Sequence, residues 1–284
     1  MNRNRFRLGT NLAARVGVYL MAAIALVPLS LVLAYTIGRG WPAVHTADFF
    51  LNAERPVGIP GGGVAHALVG TIEMVGLASL IAIPVGVIAG LHLVEYRALP
   101  AAGWIRLAAD VLVGMPSIAL GLFAYAVLVA PFHHFSAIAA SFALAMLMLP
   151  VVTRPAEGAI ALVPDGLREA GLALGLPRWK VAFRLILPAA APGVVTGALL
   201  AVARAAGETA PLLFTAFGNR FFTADPTHSM SSLTLIVYHD ALTPYKQLQD
   251  QAWGAALLLV VLVLIVNLAS RYALRRQIGL AGQA

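Results

Sequence analysis

The sequence predicts an all-α integral membrane protein with six transmembrane helices. Three observations carry that prediction. Of the 284 residues, 60% are hydrophobic and 11% are charged, against about 45–50% and about 25% in ordinary soluble domains. The mean hydropathy is +0.86, which is more than a soluble core requires. Charge-free apolar runs of about 20 residues, the length that crosses a hydrocarbon core, recur along the chain.

The first run is 16–38. It is too long for the apolar region of a signal peptide, and no small-residue cleavage site follows it. It reads as a retained helix and anchor, and residues 1–62 form this anchor with an outer loop. The second run, 74–94, follows Glu73, a carboxylate read as interfacial. Residues 111–153 are charge-free over too great a length for one span, and Pro131, His133 and His134 divide them into 111–131 and 135–153. The fifth, 189–217, is apolar apart from Arg204 and Glu208, and 251–270 is the last. Pro84, Pro116 and Pro211 are expected to kink their helices.

Charge gives the orientation. Of the 19 basic residues, 17 are arginine, and the net charge is +7. With the N-terminus inside, 14 basic residues fall in inner segments, among them Arg3, Arg5, Arg7, Arg15, Arg271, Arg275 and Arg276, and 4 in outer ones. That asymmetry predicts a multi-pass protein with both termini cytoplasmic. The basic residues then face water and lipid headgroups in loops, and nucleic acid is not an expected partner. The chain has no cysteine, which excludes disulfides, thiolate metal sites and cysteine nucleophiles. The seven histidines show no ligand spacing, so no metal is expected, and no Ser/His/Asp or paired-carboxylate catalytic group is visible.

The inner segment 154–188 is too amphipathic for a connector. Pro164-Asp165 reads as a helix start, with Asp165 able to cap the first backbone N–H groups. Apolar residues then recur at helical spacing until Gly175 and Pro177. A second short helix, 178–187, is expected to stop at Pro188. Periodicity alone leaves open whether this helix–turn–helix merely rests on the membrane surface or docks a partner.

The residues Glu169-Ala170-Gly171, then three residues, Gly175, nine residues and Leu185-Ile186-Leu187-Pro188 resemble the EAA loop of bacterial ABC importer permeases. The pattern there is Glu-Ala-Ala, three residues, Gly, nine residues, Ile-any-Leu-Pro. This chain departs from it at Gly171 and Leu185, and both changes keep size or apolarity. The resemblance implies the type I importer permease fold over 63–284. It also implies that about 165–175, with Asp165, Glu169, Ala170, Gly171 and Gly175, is a coupling helix that docks on a cytoplasmic ATPase. ATP hydrolysis would belong to that partner, because a P-loop needs a lysine after its second glycine. Lys180 and Lys246, the only lysines, sit in no such run. The chain itself is expected to bind no cofactor and to be no enzyme.

The fifth span is costly. Counted as central charges, Arg204 and Glu208 cost about 5–7 kcal/mol, while the Leu, Val and Phe residues around them return only about 2.5–5; Arg204 is expected past the midplane, towards the outside. The span therefore belongs inside a bundle, and Gly193 and Gly197 offer a GxxxG face for close packing. Arg204 and Glu208 share a helix face. They are either a self-neutralising structural pair or a transport-path site, the default reading of intramembrane charge. A guanidinium suits an oxyanion, and Glu208 would keep Arg204 from holding it too tightly.

The stretch Arg204-Ala205-Ala206-Gly207-Glu208-Thr209-Ala210-Pro211 resembles the signature of phosphate-specific (Pst) importer permeases. So do Gly70-Thr71 to Gly86, Asp110 to Ile118, and Ala173 to Trp179. Length and the short first outer loop resemble the A-type subunit. The resemblance implies a permease of the bacterial cytoplasmic membrane that moves inorganic phosphate by alternating access. Its implied partners are two ATPase subunits, a C-type permease subunit and a periplasmic phosphate-binding protein. The outer segment 229–251 is either a contact for that binding protein or a surface helix. Asp110 is expected to cap its helix or pair with Arg106. The rival readings are a permease for sulfate or molybdate, an ion-coupled secondary transporter, which calls for inverted repeats and interrupted helices, and a membrane-embedded transferase.

Overall fold

A computed structural model describes residues 2–281, with the side chains of 2–6, 8–10, 13 and 270–281 outside the description. The basic residues Arg3, Arg5, Arg271, Arg275 and Arg276 used for orientation therefore lie outside the described side chains. Among the described residues the secondary structure is helical throughout. Five helices are long and apolar enough to cross a membrane, or six if a bent pair counts as one span.

The long α1 (Asn2–Val44) leads through the short α2 (Ala47–Leu51) to α3 (Ala65–Glu95). After a tight turn come α4 (Pro100–Gly114) and α5 (Ser117–Ala124), the latter continued by a π turn at Tyr125–Val129. Next are α6 (Ala137–Ala161) and the two-turn α7 (Asp165–Ala173). The helix that follows runs from α8 (Arg178–Val181) through a π turn (Ala182–Ile186) into α9 (Leu187–Ala206). Then come α10 (Ala210–Thr215), α11 (Leu233–Ala241) and α12 (Lys246–Ala281). The end of the bundle that carries α7 also carries Arg168, Arg178, Lys180 and Arg184 and is its basic end.

The centre of the bundle is α3 packed on α6, with α9 against both. Met74, Ala78, Ala82, Leu144, Met148, Val152 and Ala201 share one buried cluster. Small residues set the spacing. A Cβ on Gly86 would lie 2.8 Å from that of Val152, and one on Gly90 would lie 2.8 Å from that of Ala156. The expected Gly193/Gly197 face is used in the same way. A Cβ there would sit 2.5 Å from Ala159 Cβ or Pro155 Cβ, so α9 and α6 meet backbone to backbone.

Three expectations change. The third span is not one helix 111–131: α4 and the α5 segment meet at 107°, so the kink expected at Pro116 is a full break. Met115 (φ −75, ψ 134) and Pro116 (φ −58, ψ 137) are both extended, because a proline ring pushes the residue before it out of the helical region. The fifth span is not one helix 189–217. It starts at Arg178, ends at Ala206, and resumes as α10 with Pro211 in its first turn. Nor does the 178–187 helix stop at Pro188. The π turn lets Leu187 N–H bond to Ala182 O, and the chain continues helically.

Candidate functional site

Arg204 sits in the last turn of α9 and Glu208 in the break beyond it. The structure brings the two together: Arg204 Nε lies 3.5 Å from Glu208 Oε1. Their surroundings differ. The Arg204 side chain is 55% exposed and the Glu208 side chain 19%. A guanidinium at a helix C-terminus sits favourably against the helix dipole. Glu208 is held by its backbone: its N–H donates to Ala205 O at 3.2 Å, and its carbonyl accepts the Thr234 hydroxyl of α11 at 3.0 Å. The Arg178–Ala206 helix of 29 residues is about 43 Å long at 1.5 Å per residue, longer than the roughly 30 Å hydrocarbon core. Arg204 is two residues from its far end, so the pair lies at the end of the bundle opposite α7 and not at mid-span. The second interruption is beside it. A Cβ on Gly121 of α5 would lie 2.6 Å from Pro211 Cα of α10, so the two broken spans touch through their backbones.

At the basic end, α7 begins after Pro164, and Asp165 makes no capping bond. Its carboxylate instead accepts from Arg168 Nη1 at 3.0 Å, which corrects the expected cap. Gly171 is buried, and a Cβ there would come within 2.7 Å of Leu185 Cδ1 and 2.9 Å of Val181 Cγ2. This is why glycine serves where the resembled motif has alanine. Gly175 has φ +80 and ends the helix in the left-handed conformation. Leu176 N–H then reaches back to Gly171 O at 3.2 Å. Glu169 and Ala170 face outward. So does Leu174, which is 81% exposed at the tip.

Asp110 does not pair with Arg106. It pairs with Arg154 of α6, while Arg106 reaches Glu157 at 2.7 Å, and Arg154 also reaches Glu157 at 2.8 Å. This four-membered chain fastens α4 to α6 and was legible only as isolated charges. Sequence reasoning also missed a buried acidic pair at the end opposite α7. Glu54, 5% exposed, is held by Arg220 Nε at 3.1 Å, and Asp240 of α11 is 2% exposed with Oδ2 unpartnered. Both line a cavity of about 200 Å³ with His239 and Asn219. Burial, and then the neighbouring Glu54, push the Asp240 carboxyl up to about 7. No sequence signal marks Asp240, because its burial comes from segments far apart in the chain.

A bundle built around α3, α6 and α9, with two interrupted spans and a short amphipathic helix pair at one end, is the architecture of a binding-protein-dependent importer permease. A chain of the inward-facing MetNI methionine ABC transporter shares the fold at a TM-score of 0.60 and 22% identity, covering 75% of this chain and 94% of that one. The family described as "Binding-protein-dependent transport system inner membrane component" matches residues 82–278. The phosphate transport system permease protein PstA of Haemophilus influenzae is 40% identical over 254 residues, 89% of each chain. PstA 1 of Mycobacterium tuberculosis is 41% identical over 252 residues, covering 87% of this chain and 83% of that one. The chain belongs to the PstA family of transport permeases. Interrupted helices, expected of a secondary transporter, are thus present in an ABC-type permease and do not separate the two classes.

Proposed function

We propose that this chain is the membrane subunit that carries inorganic phosphate inward in an ATP-driven importer, working by alternating access. The observation that carries the reading is Arg204, an exposed guanidinium at a helix break, tempered by the half-buried Glu208 3.5 Å away. That pairing suits an oxyanion that must be held briefly and let go. The names of the 40–41% identical relatives point to phosphate. The basic end is then cytoplasmic, as are both termini, in keeping with the arginine distribution. A periplasmic binding protein delivers the anion at the opposite end, where Arg204 is a fixed cation on its path. Residues 63–284 act as the permease domain, with 1–62 an added anchor.

ATP is bound and hydrolysed by two cytoplasmic ATPase subunits. The α7 region, with Asp165, Glu169, Ala170, Gly171 and Gly175, is the coupling helix that docks on one of them. Its support is an outward face of Glu169 and Ala170 with an exposed Leu174 at the tip, while Gly171 seats the other face on α8. A second, C-type permease chain completes the path. The test is uptake of labelled phosphate at micromolar concentration in cells lacking this chain, complemented by the wild type, with excess sulfate as competitor. Restored uptake that sulfate leaves untouched supports phosphate. Uptake restored for sulfate or molybdate instead overturns it.

A further inference from the structure

The helix α7 has nine residues, too few to hold its place by itself in water. Three residues, Leu162 to Pro164, tie it to α6, and of these only Val163 is buried. Gly171 seats one face of it on Val181 and Leu185, and one side chain ties it to both α3 and α6. The Arg168 guanidinium, 15% exposed, donates to four acceptors on three elements. Nε meets Glu95 Oε1, at the last residue of α3, at 2.9 Å. Nη1 meets Val163 O at 2.6 Å and Asp165 Oδ1 at 3.0 Å. Nη2 meets Ile160 O at 3.1 Å. Ile160 O lies at the end of α6, where it also accepts from Val163 N–H at 3.2 Å, and Val163 O lies in the link beyond. Glu95, 18% exposed, lies 73 residues earlier in the chain. A planar five-donor group can bridge that set at once; a lysine ammonium cannot.

We propose that Arg168 is the positioning residue that makes α7 move as one body with the inner ends of α3 and α6. A displacement applied to α7 by an ATPase then reaches the α3–α6 centre of the bundle, not only the chain ends to which α7 is joined. Glu95 is the partner through which α3 is engaged. This inference rests on the permease reading above and deepens it.

The test uses the whole transporter in proteoliposomes, with binding protein and ATP, and measures phosphate moved per ATP hydrolysed. The variants are Arg168→Lys, Glu95→Ala and the double variant, each checked for copurifying ATPase. Both single variants are expected to assemble and hydrolyse ATP while the ratio falls at least fivefold. The double variant should be no worse than Arg168→Lys, because both changes cut one interaction. A merely structural clamp would lower the amount of complex and leave the ratio alone. If Arg168→Lys does not assemble, Glu95→Ala decides, since it keeps the other three bonds of Arg168. An unchanged ratio in Glu95→Ala, or additive losses in the double variant, overturns the proposal. Wild-type vesicles that hydrolyse ATP but move no phosphate overturn the substrate reading instead. The clamp is then judged from stimulation of hydrolysis by the binding protein, which Glu95→Ala must reduce.

Discussion

Arg204→Ala separates a transport role from a structural one, because the structure bounds what the pair contributes to stability. Two unit charges 3.5 Å apart attract by about 5 kcal/mol at an effective dielectric of about 20. The Arg204 side chain is 55% exposed, so water screens most of that, and exposed pairs are worth about 0.2–1 kcal/mol. Loss of Arg204 should therefore shift the apparent melting of the purified complex by less than about 1 kcal/mol. Transport is another matter. A hydrogen bond to a charged group is worth about 1.5–3 kcal/mol, which is roughly a 10- to 150-fold fall in uptake at low phosphate. Arg204→Lys should fall between, since an ammonium keeps the charge but loses the planar fork. Glu208→Gln should do the opposite at low phosphate, keeping uptake while slowing it at saturation, because release is no longer helped by a competing carboxylate. The assay is labelled phosphate uptake in proteoliposomes over a concentration series, beside thermal unfolding of the same preparations. Normal uptake in Arg204→Ala with a large loss of stability would refute the reasoning and make the pair structural.

Four further changes give separate expectations. Gly197→Ala puts a methyl 2.5 Å from the rigid Pro155 ring, where carbon atoms prefer about 3.5–4 Å. Overpacking of about 1–3 kcal/mol should outweigh the gain of about 1 from replacing a helical glycine. Gly103→Ala, which meets open space, should gain stability in the same melting assay, and equal shifts would show that the α6–α9 contact yields. Asp240 has a folded pKa near 7 against an ordinary 3.8, so its contribution is full below about pH 4, falls as pH rises, and is lost above about 7. Asp240→Asn should thus gain about 3 kcal/mol on the wild type between pH 5 and pH 8, read by thermal unfolding at the two pH values; a gain that does not grow with pH contradicts it. Leu174→Asp, at an exposed tip, should leave melting of the isolated chain unchanged and cut copurifying ATPase about tenfold; undiminished copurification would move the docking face elsewhere on α7.

Hydrophobic run length found the five continuous spans, since burial in a hydrocarbon layer is a property of some 20 successive residues, but it took in only part of the bent pair Pro100–Gly114 and Ser117–Val129. Glycine spacing found the α9 face that meets α6. Gly175 could be read as a helix end because the left-handed conformation at C′ favours one residue type. What the sequence hid is pairing over distance. Asp110 and Arg106 are one turn apart and look like partners, yet α6 offers each a better one, Arg154 and Glu157. Arg168 and Glu95 are likewise joined only once α3 and α6 are side by side. The Arg204–Glu208 pair was legible because it is local, but its place was not. An unbroken helix put it within the membrane, whereas the break at Gly207 and Thr209 puts it at a helix end.

The prolines show why that break was hard to foresee. Each removes one N–H and crowds the carbonyl four residues back; Pro84, Pro150, Pro155 and Pro192 stay inside their helices, and around four others the chain answers in two ways. Before Pro131 and Pro188 the preceding turn widens. Ala130 N–H bonds to Tyr125 O at 2.8 Å and Leu187 N–H to Ala182 O, so an i to i+5 bond precedes the ring and the axis carries on through Pro188. At Pro116 and Pro211 the helix is given up and restarted with the proline at its beginning. The difference lies in what is packed outside. Pro188 lies where α8 and α9 share a buried cluster with α3 and α6, including Val181, Ile186 and Ala190, and continuity of that face favours the widened turn. Pro211 lies against the backbone of α5 at Gly121, and the restart brings it there. The interruption that exposes Arg204 is therefore a consequence of tertiary packing between two broken spans. It follows that Gly121→Val, which drives a side chain into the Pro211 backbone 2.6 Å away, should depress phosphate uptake as Arg204→Ala does, although it touches neither charge.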